Sequence, residues 1–383
     1  MSEQYKLYGV ACSLYTAKAR SYLRKQNIDF VELGPNHPSY RSDILPQIGR
    51  MIVPVIQAPD GQIVQDGSDI IDHFEKNNLA TVSAYSDNKV MGAIGFLFEL
   101  FGGEGLLRPA MHFRWDYDVE NLSFLKSEFS PFGPSSAMAE QTFEFASGRM
   151  RQAKLFFGAT VESKDLIIES YKEFLGLLEQ HFTWHPYLLG AKASLGDYAL
   201  MGPLYGHLYR DPAPAMIMRQ NAPRVARWAE SMNTSNEYWA DHNNTDNVVN
   251  ADTIPDTLKA LMRFISEEYL PEIIAHVNYA NKWLEQHADL EVGTNGMEKA
   301  AERVIGLCEF NWRGIDLTTA VMPYRFYLLQ RLQDCYDEAN SGEQLQLQQL
   351  FSETGLSGLL AIRTLRRVER NNHLEVWGPL LTV

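Results

Sequence analysis

The spacing of apolar and polar positions changes character partway along the chain. Residues 5–10, Tyr-Lys-Leu-Tyr-Gly-Val, read as a strand, 14–27 as a helix and Ile28–Leu33 as a second strand. An irregular stretch follows, with a short helix near Ser42–Ile48. An apolar run then ends in Val53-Pro54, and Val55–Ala58 and 62–65 read as strands joined by a Pro-Asp-Gly turn at 59–61. A helix opens at Asp66-Gly67-Ser68. A right-handed crossover joins the first two strands in parallel, and the hairpin adds an antiparallel pair.

From residue 88 the apolar spacing becomes helical, over 88–102, 137–156 and most clearly 164–182, then 195–208 and 222–232. Residues 129–136 form a connector. Near 233–255 the chain turns polar, which marks a loop or boundary. Beyond it, 255–287, 295–310, 322–340 and 343–370 read as helices, with Trp283, Trp312, Tyr324, Phe326 and Tyr327 as core.

Composition narrows the function classes. Among 383 residues, 45% are hydrophobic and 21% charged, an ordinary globular balance with room for two or three domains. The net charge of −14 disfavours nucleic acid or an anionic membrane as the main partner. No apolar run long enough to span a bilayer and no signal peptide stand out, so a cytoplasmic setting is expected. Cys12, Cys308 and Cys335 are odd in number and far apart, which fits reduced thiols better than a disulfide framework or zinc site. His181 and His185 have metal-pair spacing, but Pro186 ends their helix and no third ligand is in view. No metal is expected.

Two local patterns carry position. Pro54 opens a strand, where its missing N–H costs no ladder bond. If the Val53-Pro54 bond is cis, Val53 keeps a free N–H and C=O to pair with an extended thiol peptide. Further on, Ser194-Leu-Gly-Asp197 before an apolar helix reads as a capping box, with Asp in the usual Glu place.

The strand-helix-strand start, Val53-Pro54, the helix opening at Asp66-Gly67-Ser68-Asp-Ile-Ile, and Ser194-x-x-Asp197 together resemble a glutathione transferase over about residues 5–232. The resemblance implies a thioredoxin-like α/β domain (1–85), an all-α glutathione-transferase C-terminal domain (88–235) that holds the second substrate, and an additional α-helical extension (236–383). It implies glutathione as co-substrate, a small hydrophobic or aromatic electrophile as the other partner, a detoxification role and a homodimer.

It also implies site residues. Val53 and Pro54 face the cysteinyl unit. Asp66 meets the ammonium of the γ-glutamyl group, and Gly67 and Ser68 meet its carboxylate through N–H groups or the Ser68 hydroxyl. The family's hydroxyl position is Gly67 here, and the plainer role of Asp66 and Ser68 is to cap their helix. Counting back from Ile28, serine- and cysteine-type members place their catalytic group at Ser13. Cys12 stands one position away and would favour disulfide exchange. Tyr15 at the helix start and Tyr8 at the strand end are further candidates. Arg108, His112, Arg114 and Trp115 combine cationic and aromatic groups suited to a planar or acidic electrophile, or to packing between domains. Three readings stay open: a transferase, a glutathione-dependent thiol oxidoreductase using Cys12, and a non-catalytic interaction protein.

Overall fold

The computed structural model describes residues 4–129, 136–237, 242 and 248–381. The expected connector falls largely on 130–135, and much of the polar boundary on 238–241 and 243–247, outside the described residues.

The N-terminal unit is thioredoxin-like. Strands β1 (Tyr5–Tyr8), β2 (Phe30–Leu33), β3 (Val55–Gln57) and β4 (Ile63–Gln65) form one sheet in the order β2-β1-β3-β4. β1 and β2 are parallel, and the other pairs antiparallel. Helix α1 (Leu14–Lys25) makes the crossover, and a turn at Tyr40–Ile44 leads into α2 (Leu45–Ile48). Gly61 takes φ 94° in the hairpin turn, where a side chain would be strained. The Val53-Pro54 bond is cis. Helix α3 (Gly67–Lys76) is capped by Asp66, whose Oδ1 accepts from the Ser68 N–H at 2.8 Å.

A helical layer follows: α4 (Lys89–Leu100), α5 (Leu107–Trp115), α6 (Asp118–Phe129), α7 (Ser136–Ala153), α8 (Lys164–His181), α9 (Leu195–Pro203), α10 (Pro212–Asn221) and α11 (Pro223–Met232). On α8 the buried positions Ile167, Tyr171, Phe174, Leu175 and Leu178 repeat at helical spacing. The run 89–115 is, contrary to expectation, long and apolar enough to cross a membrane, with mean hydropathy 1.5 over its best window. Of that window 83% is buried, as in a central core helix.

The capping box at Ser194 is present. Asp197 Oδ2 accepts from the Ser194 N–H and hydroxyl, and Oδ1 from the Leu188 N–H and Trp228 Nε1–H. Burial pushes its carboxyl up to about 6 against those donors. Replacing Asp197 with Ala leaves four donors without this acceptor, three of them N–H groups with fixed directions. A loss of about 2 kcal/mol is expected, read as a lower urea midpoint at unchanged slope.

The extension departs from the all-helical expectation. It holds α12 (Asp256–Glu268), α13 (Leu270–Gln286), α14 (Pro323–Asp337), α15 (Ser341–Glu353) and α16 (Ser357–Ala361). It also holds two β-hairpins, β5–β6 (Gly306–Trp312, Ile315–Val321) and β7–β8 (Arg366–Asn371, Leu374–Leu380), where 295–310 and 343–370 read as helix. Both hairpins turn on two residues with positive φ: Arg313 and Gly314 (47° and 91°), and Asn372 and His373 (47° and 65°). Such tight turns match the strand twist and fix the register. Gln330 on α14 braces β7, donating to the Val368 C=O and accepting from its N–H.

One apolar core runs through all three parts, joining Leu7 and Ile70 with Leu97, Leu200, Phe326 and Trp377. A buried ionic network reinforces it. Glu272 on α13 takes Arg108 at one oxygen and Arg325 at the other, each at 2.6 Å. Arg325 also donates to Glu104, and Arg108 to Glu268.

Candidate functional site

The candidate site lies at the start of α1. Ser13 is the N-cap: its Oγ accepts from the Thr16 N–H at 3.2 Å, while its own N–H donates to the Val10 C=O. Its hydroxyl proton has no acceptor among the described residues. The first turn of α1 carries no acidic side chain, so the positive end of the helix dipole is not cancelled there. The turn sits hard against the helical layer. A Cβ on Gly206 would stand 2.7 Å from the Leu14 Cα, so only glycine permits this approach.

Arg114 fixes the same turn from below. It is buried, pairs with both oxygens of Asp211 at 2.7 Å, and donates to the Cys12 C=O at 2.6 Å. His207 completes this floor, its charged form disfavoured by burial and by Arg114.

Above the floor opens a mostly apolar cleft of about 640 Å³, walled by Ser13, Tyr15 and Val53 on one side and by Leu107, Met111, Trp115 and Phe157 on the other. Val53 makes no hydrogen bond through its N–H or C=O among the described residues. Pro54 is buried behind it and accepts from the Asp66 N–H. The cleft therefore offers a hydroxyl donor, a helix N-terminus and a free backbone edge at Val53 side by side.

The other expected residues divide. Cys12 borders the cleft but is only 2% exposed, and burial raises its thiol against the pull of Arg114. Tyr15 borders it too, yet its hydroxyl points to Glu104 at 3.5 Å, and burial with that carboxylate holds it protonated. Tyr8 is buried with its hydroxyl on Ser39. Arg114 and Trp115 reach the cleft. Arg108 and His112 do not: Arg108 stacks on Trp312 at 4.5 Å within the ionic network, and His112 holds Asp116 at 2.8 Å. The packing alternative holds for these two because both side chains are buried, Arg108 against the extension and His112 within the helical layer. His181 uses both ring nitrogens, on Thr257 and on the Leu188 C=O.

Asp66, Gly67 and Ser68 are covered by groups that the sequence reading did not connect to them. Asp66 is 7% exposed, and Tyr324 on α14 donates to its Oδ1 at 2.8 Å. Ser68 is fully buried and accepts from Lys18, which also holds Glu99. The Lys18 stem lies where a Cβ on Gly67 would come within 3.2 Å, which fits glycine at the family's hydroxyl position. Asp66 itself sits at φ 93°, ψ 142°, a conformation rare outside glycine that costs about 1–3 kcal/mol and persists where surroundings enforce it. Tyr324, and Arg370 on the neighbouring Gln65 and Asp69, both come from the extension.

Residues 7–79 match the family model for the glutathione S-transferase N-terminal domain. No curated protein matches the sequence. Among solved structures, a glutathione transferase from Phanerochaete chrysosporium is similar at 14% identity and TM-score 0.43, over 62% of this chain and 99% of that one. A beta-etherase from Sphingobium gives 18% and 0.43, over 60% and 95%. Glutaredoxin 2 from Salmonella typhimurium, in complex with glutathione, gives 20% and 0.37, over 60% and 99%. On the strength of the family model, residues 7–79 of this chain belong to the glutathione S-transferase N-terminal domain family.

Proposed function

We propose that the protein is a glutathione transferase, which ionises the thiol of glutathione at Ser13 and directs it at a small apolar or aromatic electrophile in the cleft. The observation that carries this reading is the free Ser13 hydroxyl proton at an uncancelled helix N-terminus, facing a mostly apolar cleft.

A thiol with pKa ~8.5 is largely protonated at neutral pH. A donated hydrogen bond and the α1 N-terminus favour the thiolate, and the proton leaves to solvent. The thiolate sulfur then forms a bond to the electrophilic carbon. In substitution the leaving group departs with its electron pair; in addition the neighbouring atom takes the pair and later a proton. Val53 pairs with the cysteinyl backbone and sets the sulfur's approach, and holding both reactants supplies much of the rate. Met111, Trp115 and Phe157 offer the apolar faces for the second substrate. Cys12 is a poor alternative nucleophile because burial keeps its thiol protonated.

A second reading, a non-catalytic interaction protein that does not take up glutathione, is favoured by one observation: the extension already covers Asp66 and Ser68. Calorimetric titration with glutathione, paired with a conjugation assay on chlorodinitrobenzene, separates the two. The transferase should show both a binding heat and turnover. Absence of both favours the second reading and sinks the first, and binding without turnover of this or other activated aryl halides also counts against the first.

A further inference from the structure

The carboxylate of Glu375, on β8, lies among three guanidinium groups. Arg50 donates to both its oxygens at 3.0 and 3.2 Å, Arg370 at 2.5 Å and Arg303 at 3.3 Å. This cradle sits on the turn that opens α3. Arg370 also donates to the Gln65 side chain at 2.9 Å and to Asp69 at 3.0 Å, and Arg50 reaches the Gln65 side chain at 3.4 Å. Next to it the Tyr324 hydroxyl donates to Asp66. The Nε atoms of Arg50 and Arg303 are buried with no acceptor, and Arg50 is more than nine-tenths buried. The cluster therefore has more donors than its one central carboxylate uses.

Cations around a carboxylate, with a second acid a short way off, form the pattern that receives an amino-acid head group. The head group's carboxylate goes to the arginines and its ammonium to the acid. Here the chain's own Glu375 and Tyr324 stand in those two places. The charges balance in this closed form, with Arg50, Arg303 and Arg370 against Glu375, Asp66 and Asp69. Exchange of one carboxylate for another keeps that balance, whereas loss of Glu375 without replacement leaves a buried cation unpaired.

We propose that Glu375 is an internal occupant of a carboxylate site for the γ-glutamyl head group of glutathione, and that glutathione binds by displacing it. The inference rests on the transferase reading and adds a competitor carried by the chain itself. The part that moves is the hairpin tip around Asn371–Leu374. It lies beyond two anchors, the buried Trp377 and the Gln330 bonds to Val368. The apparent affinity for glutathione is then lowered by the fraction of molecules in which the tip is closed.

The experiment titrates glutathione, and cysteinylglycine as a probe lacking the γ-glutamyl unit, into the full-length wild-type protein and Glu375→Gln by calorimetry. The variant should bind glutathione about tenfold more tightly and cysteinylglycine unchanged. Amide hydrogen exchange around residues 371–375 should rise when wild type takes up glutathione. Equal or weaker glutathione binding by the variant, with cysteinylglycine bound by both proteins, overturns the inference and leaves the transferase reading standing. If neither ligand binds either protein, both fall. Should Glu375→Gln fail to fold, Tyr324→Phe carries the test, since it keeps the ring and removes only the hydroxyl that meets Asp66 and Ser68. It should tighten glutathione binding several-fold, and an unchanged affinity overturns the inference.

Discussion

Ser13→Ala is expected to fold and to lose about a hundredfold in kcat/KM for conjugation, the size of effect seen when one donor to a developing anion is removed. The hydroxyl has two roles, and they separate experimentally. As N-cap it accepts from the Thr16 N–H, and its loss costs about 1 kcal/mol of stability. As donor to the thiolate it lowers the pKa of the bound thiol. A cap defect alone shifts the unfolding midpoint and leaves the pH profile in place. Loss of the donor moves the inflection of kcat/KM upward, toward the free thiol's ~8.5. Ser13→Thr keeps a hydroxyl at the cap and should restore most of the rate. Unchanged rate and inflection in Ser13→Ala would remove Ser13 from the mechanism.

Glu272→Ala is expected to be the most destabilising single change, at about 3–5 kcal/mol. Both carboxylate oxygens are engaged by arginines, and the Thr319 hydroxyl donates at 3.2 Å. Removing the carboxylate leaves Arg108 and Arg325 buried without their closest anion, and a buried charge stripped of its partner is far costlier than a surface one. Denaturant midpoints at constant slope measure the loss; a shift as small as that of a surface glutamate would refute the account.

The same carboxylate sets an acid limit. Burial acts upward on Glu272, but Arg325, Arg108 and His276 outweigh it and hold the carboxyl down to about 2. Glu375 is held at about 2 likewise, by Arg303, Arg50 and Arg370 against burial. A carboxyl depressed in the folded state contributes stability that is complete above its unfolded pKa, ~4.3, and is lost as pH falls through the folded value. Glu104 and Glu268 shift the other way, because burial outweighs their arginines, and they offset part of the effect. The decline attributable to Glu272 should therefore fall between about pH 4 and 2, and be absent from the slope of Glu272→Ala.

The N-terminal sheet and most helices were legible because their signals are local. Pro59-Asp60-Gly61 fixes a turn, Ser194 and Asp197 fix a cap, and α8 repeats its apolar face over five positions. The two extension hairpins were missed for an equally local reason. Arg313-Gly314 and Asn372-His373 are weaker turn signals than Asn-Gly.

Within the candidate site, the places of Ser13, Val53 and Trp115 on the cleft wall were legible because they follow from neighbouring strands and helices. The cover over Asp66 was not, because Tyr324 lies 258 positions further along the chain. Arg108 and His112 were overread: a dense run of cations and aromatics looks the same whether it faces a ligand or packs inside.

The distance from Asp66 to Tyr324, and the longer one from Arg50 to Glu375, bears on how the molecule is made. Contacts so far apart in sequence form late and slow folding, because loop closure comes before any gain from the contact. During synthesis the thioredoxin-like unit emerges before the extension, with its α3 turn still lacking Tyr324 and Arg370, which will cover it. Until β7 and β8 emerge, that turn stays an open polar surface.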